Sequence, residues 1–287
     1  MAESITLTRT VDDYKSDEKP TWCPGCGDFG VLNALYNAMR EKNYDPKDVV
    51  LVSGIGCSSR LPFFVSTYGF HGVHGRAMPI ATGVKLARPD LNVVVLGGDG
   101  DAFAIGGGHF MHAARRNLNV TYVIMDNQTY GLTKGQASPT AQVGYVTKAS
   151  PKGTLEAPVN PLLLAMACGA SFVARGFSGQ PKDLAQLMLA GINHSGLAII
   201  DVYSPCPTFN KVNTFKTYRA EVAPLPADHD PGDFDSSLRI AASTEPRYLG
   251  ILYQREGASY DELLEERKSG TPADLPKLMD SLFERFS

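Results

Sequence analysis

What these 287 residues lack narrows the reading first. Neither sign of charge is in strong excess: 27 Lys and Arg against 30 Asp and Glu leave a formal net charge of −3. A nucleic-acid-binding surface usually carries a marked basic excess, so that class is set aside. The opening stretch MAESITLTRTVDDYKSDEKP is polar and acidic and holds no apolar signal-peptide core. Apolar runs such as LLLAMACGA fall short of the roughly 20 residues that span a bilayer. Cysteine is scarce, five in all, too few for a disulfide framework in a chain this long. Internal repeats and low-complexity tracts are absent. The expectation is a soluble cytoplasmic protein with reduced thiols and neither nucleic acid nor membrane as partner. With 43% hydrophobic residues it has enough apolar side chains for a large core.

What is present alternates between two periods. DVVLVSG, NVVVLGG, NVTYVIMDN, SFVAR and GLAIIDVYSP read as short buried strands. DFGVLNALYNAMREK places Phe29, Leu32, Leu35, Tyr36 and Met39 on one helical face, with Asp28 as the expected N-cap. RAMPIATGVKLARP and PKDLAQLMLAGINH are also helix-like, whereas DAFAIGGGHFMHAARRN has helical length but three consecutive glycines against it. Continuous apolar strands alternating with helices specify an α/β fold, a mostly parallel sheet covered by helices on both faces. Ligands of such sheets bind beyond the carboxyl ends of the strands. From about Lys211 the pattern loosens into a Pro- and charge-rich segment ending in helix-like YDELLEERK and DLPKLMDSLFERF. The domain reading is therefore a core over residues 1–210 and an extension over 211–287, packing on that core or on a partner.

Three strands run straight into unusual sequences: SGIGCSS, GGDGD and DNQTYG. GGDGD follows a strand and opens a helix, so its backbone N–H groups can cradle an anion. The dinucleotide pattern G-x-G-x-x-G fails at Phe103, and no Gly-Lys-Ser/Thr completes a Walker A loop. Asp99 offers a hard carboxylate oxygen and Asn127, one strand later, an amide oxygen. Two such oxygens leave room for phosphate oxygens around an octahedral Mg²⁺.

Gly98-Asp99-Gly100 followed by Asn127 resembles the signature of thiamine diphosphate enzymes. GIGCSSR, HGVHGRAMPIATGVKLA, GGDGD and DNQTYGLTKGQASPT together resemble the β subunit of 2-oxoacid:ferredoxin oxidoreductases, over roughly Trp22 to Asn210. That resemblance implies a thiamine diphosphate-binding fold in which Asp99, Asn127 and the backbone carbonyl of Thr129 hold Mg²⁺. It implies that Ile55, Gly56, Cys57, Ser58, His74, Gly98, Gly100, Asp101, Gly131, Leu132 and Thr133 line the cofactor along with the magnesium ligands. The glutamate that activates the aminopyrimidine ring is implied to sit on a partner α subunit, in a dimer of αβ units.

Cys23, Cys26, Cys57 and Cys206 all lie in Gly/Pro- or Ser-rich turns, whereas Cys168, inside LLLAMACGASF, reads as a buried apolar residue. Four thiolates suffice for one 4Fe–4S cluster; structural zinc, which more often gathers two close pairs of ligands, stays open on the residues alone. The resemblance implies a cluster on those four cysteines. It also implies the reaction: CoA-dependent oxidative decarboxylation of a 2-oxoacid, reversible as CO₂ fixation, with electrons leaving singly for ferredoxin. Cys57, His74 and Lys134 are the candidate catalytic residues. A lysine at position 134 is linked in such enzymes with coenzyme A and 2-oxoacid choice. TKGQ here, where many pyruvate-specific relatives read TGGQ, tilts the substrate towards 2-oxoglutarate, with pyruvate as the alternative. A non-oxidative thiamine-dependent decarboxylase would share GDG and Asn127 but has no need of four turn cysteines. Arg60 is set between a substrate carboxylate and a surface ion pair, and His71, His109, His112 and His194 are expected in core or capping roles.

Overall fold

The computed structural model describes residues 8–268 and 275–286. Helix α1 (Asp28–Glu41) leads into strand β1 (Val49–Ser53), edge strand β2 (Tyr68–His71), α2 (Ala77–Ala87) and β3 (Asn92–Gly98). After β3 come α3 (Gly107–Arg116), β4 (Val120–Asp126) and a small hairpin of β5 (Thr129–Tyr130) and β6 (Gln136–Ala137). The chain continues through α4 (Pro161–Cys168), β7 (Phe172–Phe177), α5 (Pro181–Asn193) and β8 (Leu197–Tyr203). Beyond Asn210 lie α6 (Phe215–Glu221), β9 (Val222–Pro224), α7 (Phe234–Ala242), β10 (Arg247–Gln254), α8 (Tyr260–Lys268) and α9 (Leu275–Phe286). Asp274, the first residue of the second C-terminal helical stretch, lies outside the described residues.

Eight strands form one sheet in the order β2-β1-β3-β4-β8-β7-β10-β9. All pairs from β2 to β7 are parallel; β10 runs antiparallel to β7, and β9 pairs parallel to β10. The apolar runs are continuous because both faces of the sheet are covered. Alternate residues point to opposite sides: Val49 and Leu51 join the core beneath α1 and α5, Val50 and Val52 the core beneath α2, α3, α4 and α7. That gives three layers, helix on sheet on helix. Among the described residues, no helix is long and apolar enough to cross a membrane.

The α1 face forms as its spacing predicts, with Leu32, Leu35, Tyr36 and Met39 buried. Two readings of that segment are corrected. Phe29 stays partly exposed and packs edge-on against Trp22, with ring centroids 5.3 Å apart. Asp28 is not the N-cap, a place taken by Gly27. It is the first helical residue, fully buried, and Ser204 Oγ donates to its Oδ1 at 2.7 Å. Burial pushes its carboxyl up to about 6.

The glycine-rich segment after β3 resolves differently from a single helix. A π-helical turn spans Asp101–Ile105, and α3 begins only at Gly107. The wide turn brings the Asp101 carbonyl to 2.2 Å from where a Cβ on residue 106 would stand, so only glycine fits there. Cys168 is half-buried rather than buried, against the α2/α3 side of the core. RYLGILYQ, not recognised as a strand from its sequence, is β10, and its Leu252 and Tyr253 join that same core.

At the amino-terminal edge of the sheet, Lys85 is buried and donates to the carbonyls of Pro89 (2.9 Å) and Leu91 (3.0 Å). Its Nζ lies 4.0 Å from the buried carboxylate of Asp261 on α8, whose Oδ1 accepts from Asn119 N–H. Lys85→Met keeps the aliphatic stem but strands Asp261 and two carbonyls. Stability is expected to fall by about 3 kcal/mol, read as a lowered urea midpoint at unchanged m-value; no shift in the midpoint would show that this contact does not hold α8.

Candidate active site

The loops after β1, β3 and β4 meet at the carboxyl edge of the sheet, around a cleft of about 240 Å³. Every residue named above as lining the diphosphate cofactor lines this one cleft, joined by Tyr130. Tyr130 is the aromatic of DNQTYG, and the sequence around it carries no signal of its place. Its ring lies so close to Gly100 that a Cβ there would stand 2.2 Å from it, which explains the second glycine of GDG. A Cβ on Gly98 would likewise meet Ser58 Oγ at 2.9 Å.

Asp101 ties the rim together. Its buried Oδ1 accepts the N–H of Ile55 (3.0 Å), the N–H of Gly75 (2.8 Å) and a proton on His74 Nδ1 (2.8 Å). Its Oδ2 is buried without a partner among the described residues. With Nδ1–H engaged by Asp101, the free nitrogen of His74 is Nε2, on a half-exposed ring that lines the cleft.

Asp99 is 2% exposed. Ser138 Oγ and Thr140 Oγ1 both donate to its Oδ2, the latter at 2.6 Å. Thr140 Oγ1 also lies 2.8 Å from Asp126 Oδ1. These hydroxyls sit inside the quoted DNQTYGLTKGQASPT but carried no sequence signal of their role. Burial raises the Asp99 carboxyl, and burial together with the charges of Asp99 and Asp201 holds Asp126 well above the ordinary carboxylate range. Neighbouring buried carboxylates raised in this way suit a bound cation, which would offset their mutual repulsion. Asn127 Oδ1 accepts from Thr129 N–H at 3.0 Å, closing a turn in which Gln128 takes a left-handed φ of 60°.

The cysteine segments converge on the same edge. The CPGCG turn docks on two strand ends: Trp22 Nε1 donates to the Cys57 carbonyl (2.6 Å) and Gly27 N–H to the Pro205 carbonyl (2.9 Å). Gly25 has φ +76°, and a Cβ on Gly27 would lie 2.5 Å from Ser204 Oγ, so both glycines are demanded by the fold. The sulfurs of Cys57 and Cys206 stand 3.4 and 3.8 Å from the point a Cβ on Gly131 would occupy. Gly131 lines the cleft together with Cys57 and sits beside both sulfurs. Burial pushes the Cys57 thiol up to about 11, with Asp28 and the thiols of Cys206 and Cys23 adding to it and Arg60 opposing. Burial also raises Cys26, with Asp28, Cys206 and Cys57 contributing. A bound metal centre is what returns such thiols to thiolates.

Lys134 is outside the cleft. With a φ of 74°, it lines an adjoining groove that also holds Lys148 and Lys211 and shares Thr133 with the cleft. Arg60 is half-buried beside Cys57. His71 bonds Ser53 Oγ and the Ser59 carbonyl, and His194 bonds Ser171 Oγ at 2.7 Å, both as structural pins. His109 and His112 lie half-buried and exposed on α3.

A parallel sheet whose acid-bearing glycine loop faces an Asn turn across such a cleft defines a thiamine diphosphate-binding domain. Residues 54–202 match the family described as "Thiamine pyrophosphate enzyme, C-terminal TPP binding domain". Residues 206–269 match the family of the C-terminal part of the pyruvate ferredoxin oxidoreductase beta subunit. The 2-oxoacid:ferredoxin oxidoreductase 2 subunit beta of Aeropyrum pernix is 43% identical over 92% of this chain and 90% of its own. The 2-oxoglutarate oxidoreductase subunit KorB of Mycobacterium tuberculosis is 48% identical over 74% of this chain and 56% of its own. A solved 2-oxoglutarate:ferredoxin oxidoreductase from Magnetococcus marinus, with 2-oxoglutarate, coenzyme A and succinyl-CoA bound, superposes with a TM-score of 0.92. It is 46% identical and covers 96% of this chain and 97% of that one. The chain belongs to the β subunits of the 2-oxoacid:ferredoxin oxidoreductases.

Asp101→Ala strands the buried Gly75 N–H and the part-buried Ile55 N–H and frees His74. Unmade buried hydrogen bonds cost about 1–3 kcal/mol each, so the Ile55 and Gly75 amides are expected to exchange with solvent much faster than in the parent protein. Unchanged protection of both would remove Asp101 as the clasp of the rim.

Proposed function

We propose that this chain, paired with an α subunit, oxidatively decarboxylates 2-oxoglutarate to succinyl-CoA and CO₂ and passes the electrons singly through a 4Fe–4S cluster to ferredoxin. The observation that carries the reading is Gly131, which lines the cleft while the sulfurs of Cys57 and Cys206 flank it. A redox centre on those sulfurs would adjoin the cofactor directly, an arrangement a non-oxidative decarboxylase does not need. One CxxC pair with two single cysteines, Cys23, Cys26, Cys57 and Cys206, supports one 4Fe–4S cluster, since structural zinc more often gathers two close pairs of ligands.

Bound thiamine diphosphate supplies the electron sink for loss of CO₂. Asp99, Asn127 and the Thr129 carbonyl are the residues to hold Mg²⁺, with Ser138 and Thr140 fixing the Asp99 carboxylate. Gly98 and Gly100 keep side chains out of the diphosphate's place. His74, oriented by Asp101, presents Nε2 to the cleft as a hydrogen-bonding group. Among the described residues, no glutamate lines the cleft, which supports activation of the cofactor from the α subunit. The lysine-lined groove of Lys134, Lys148 and Lys211 suits the phosphates of coenzyme A. Lys134 in TKGQ, together with the 2-oxoglutarate named for relatives, favours that substrate. Pyruvate, named in the second matching family, is the alternative.

Anaerobically purified αβ enzyme is expected to contain about four iron and four acid-labile sulfide per β chain and to reduce ferredoxin with 2-oxoglutarate faster than with pyruvate. Cys23→Ser should lose ferredoxin reduction. Zinc in place of iron, or full activity of that variant, would end the electron-transfer reading; a preference for pyruvate would overturn the substrate alone. Lys134→Ala is expected to raise KM for coenzyme A about tenfold, the loss of one charge-assisted contact of about 1.4 kcal/mol, and an unchanged KM would take Lys134 out of coenzyme A binding.

A further inference from the structure

Asn210 is fully buried, one residue short of the point where the sequence pattern loosens. Its backbone N–H donates to the carbonyl of Cys206 at 2.9 Å. Its side-chain Nδ2 donates to the carbonyl of Asn127, also at 2.9 Å. Its Oδ1 accepts from the N–H groups of Val212 (3.0 Å) and Asn213 (2.9 Å). Only one orientation of the amide satisfies this set, because the partners on one side are donors and the partner on the other is an acceptor. One residue thus grips the turn carrying a cysteine and the turn carrying an expected magnesium ligand.

The neighbouring chain reinforces the grip. Asn213 Nδ2 donates to Gln128 Oε1 at 2.8 Å, and Gln128 Nε2 donates to the Tyr218 hydroxyl at 3.3 Å. Gln128 is the residue held at φ 60°, a conformation that costs a non-glycine residue free energy and persists only where its surroundings fix it. The segment from Asn210 to Tyr218 therefore holds the Asn127–Thr129 turn from behind, on the side away from the cleft.

Resting on the function proposed above, we propose that Asn210 is a positioning residue that locks the Cys206 turn to the Asn127 turn, fixing the cluster ligand relative to the magnesium–diphosphate loop. Movement of one turn is then transmitted to the other through the Asn210 amide, with Asn213 and Gln128 beside it. Coupling of this kind is reciprocal: what cofactor binding does to the cluster, the cluster's state does to cofactor affinity.

Asn210→Asp separates the two halves of the role. Ionised, the introduced carboxylate keeps the acceptor that Val212 and Asn213 use and faces the Asn127 carbonyl with a second acceptor in place of the donor. The measurements are therefore made at about pH 8, well above the usual carboxylate range. In the αβ enzyme, thiamine diphosphate with Mg²⁺ is expected to bind about tenfold more weakly, the scale of one buried hydrogen bond. Iron and sulfide should stay at the parent level. Any change that thiamine diphosphate produces in the electron paramagnetic resonance spectrum of the reduced cluster should shrink or vanish. Hydrogen exchange of the Gln128 and Thr129 amides should quicken while that of Val212 and Asn213 does not. Parent-level cofactor affinity together with parent-level exchange at Gln128 and Thr129 would overturn the proposal. If Asn210→Asp fails to fold, Asn210→Ser, whose short hydroxyl can still accept from the following backbone N–H groups but falls short of the Asn127 carbonyl, is read by the same exchange measurement, with the same outcome deciding it. Absence of iron or of cofactor binding in the parent enzyme would instead defeat the functional reading, and the exchange result still decides whether Asn210 holds the two turns together.

Discussion

A parallel sheet ends, at its carboxyl edge, in backbone groups that the ladder no longer pairs and that the surrounding layers keep from water. The active edge of this protein is organised by how those groups find partners. Asp101 takes the N–H groups of Ile55 and Gly75, Trp22 takes the Cys57 carbonyl, Gly27 takes the Pro205 carbonyl, and Asn210 takes the carbonyls of Cys206 and Asn127. All but the local Asn210–Cys206 bond join segments distant in sequence, so the cleft's shape follows from satisfying its own loops. The glycines at 27, 98 and 100 mark where those loops approach too closely for any side chain.

The same edge concentrates unbalanced charge. Asp28, Asp99, Asp126 and Asp201 are all buried, and burial raises every one of them. Among these, Asp201 has a guanidinium beside it, that of Arg175 at 3.3 Å. The thiols of Cys26 and Cys57 are raised as well. Of these, Asp99 and Cys57 line the cleft, and groups perturbed by desolvation in a cleft mark a candidate working site. Among the described residues, Asp28, Asp99 and Asp126 have no ion pair to bring them positive charge. In the function proposed here, magnesium and iron would supply it.

The segment beyond Asn210 is bound into this arrangement. β10 extends the sheet antiparallel to β7, Leu252 shares a core with β4, and Asn213 and Tyr218 steady Gln128. Family matches on both sides of this junction, over 54–202 and 206–269, accord with a β subunit in which cofactor domain and C-terminal segment are built together.

The sequence by itself determined the parts whose signal is local. Period and apolar composition marked β1, β3, β4, β7 and β8. GGDGD and DNQTYG marked the loops of the cleft, and the turn cysteines marked segments that converge on the same edge. These were legible because a buried strand or a glycine turn needs its residue types within a few positions of one another. Tertiary structure alone decided that Asp28 is buried on Ser204 instead of capping a helix, that the run of glycines splits a π-helical turn from α3, and that RYLGILYQ is a sheet strand. It also decided the roles of Tyr130, Ser138, Thr140 and Asn210. Each depends on a partner tens of residues away, and spacing along the chain carries no record of which distant groups share one buried edge.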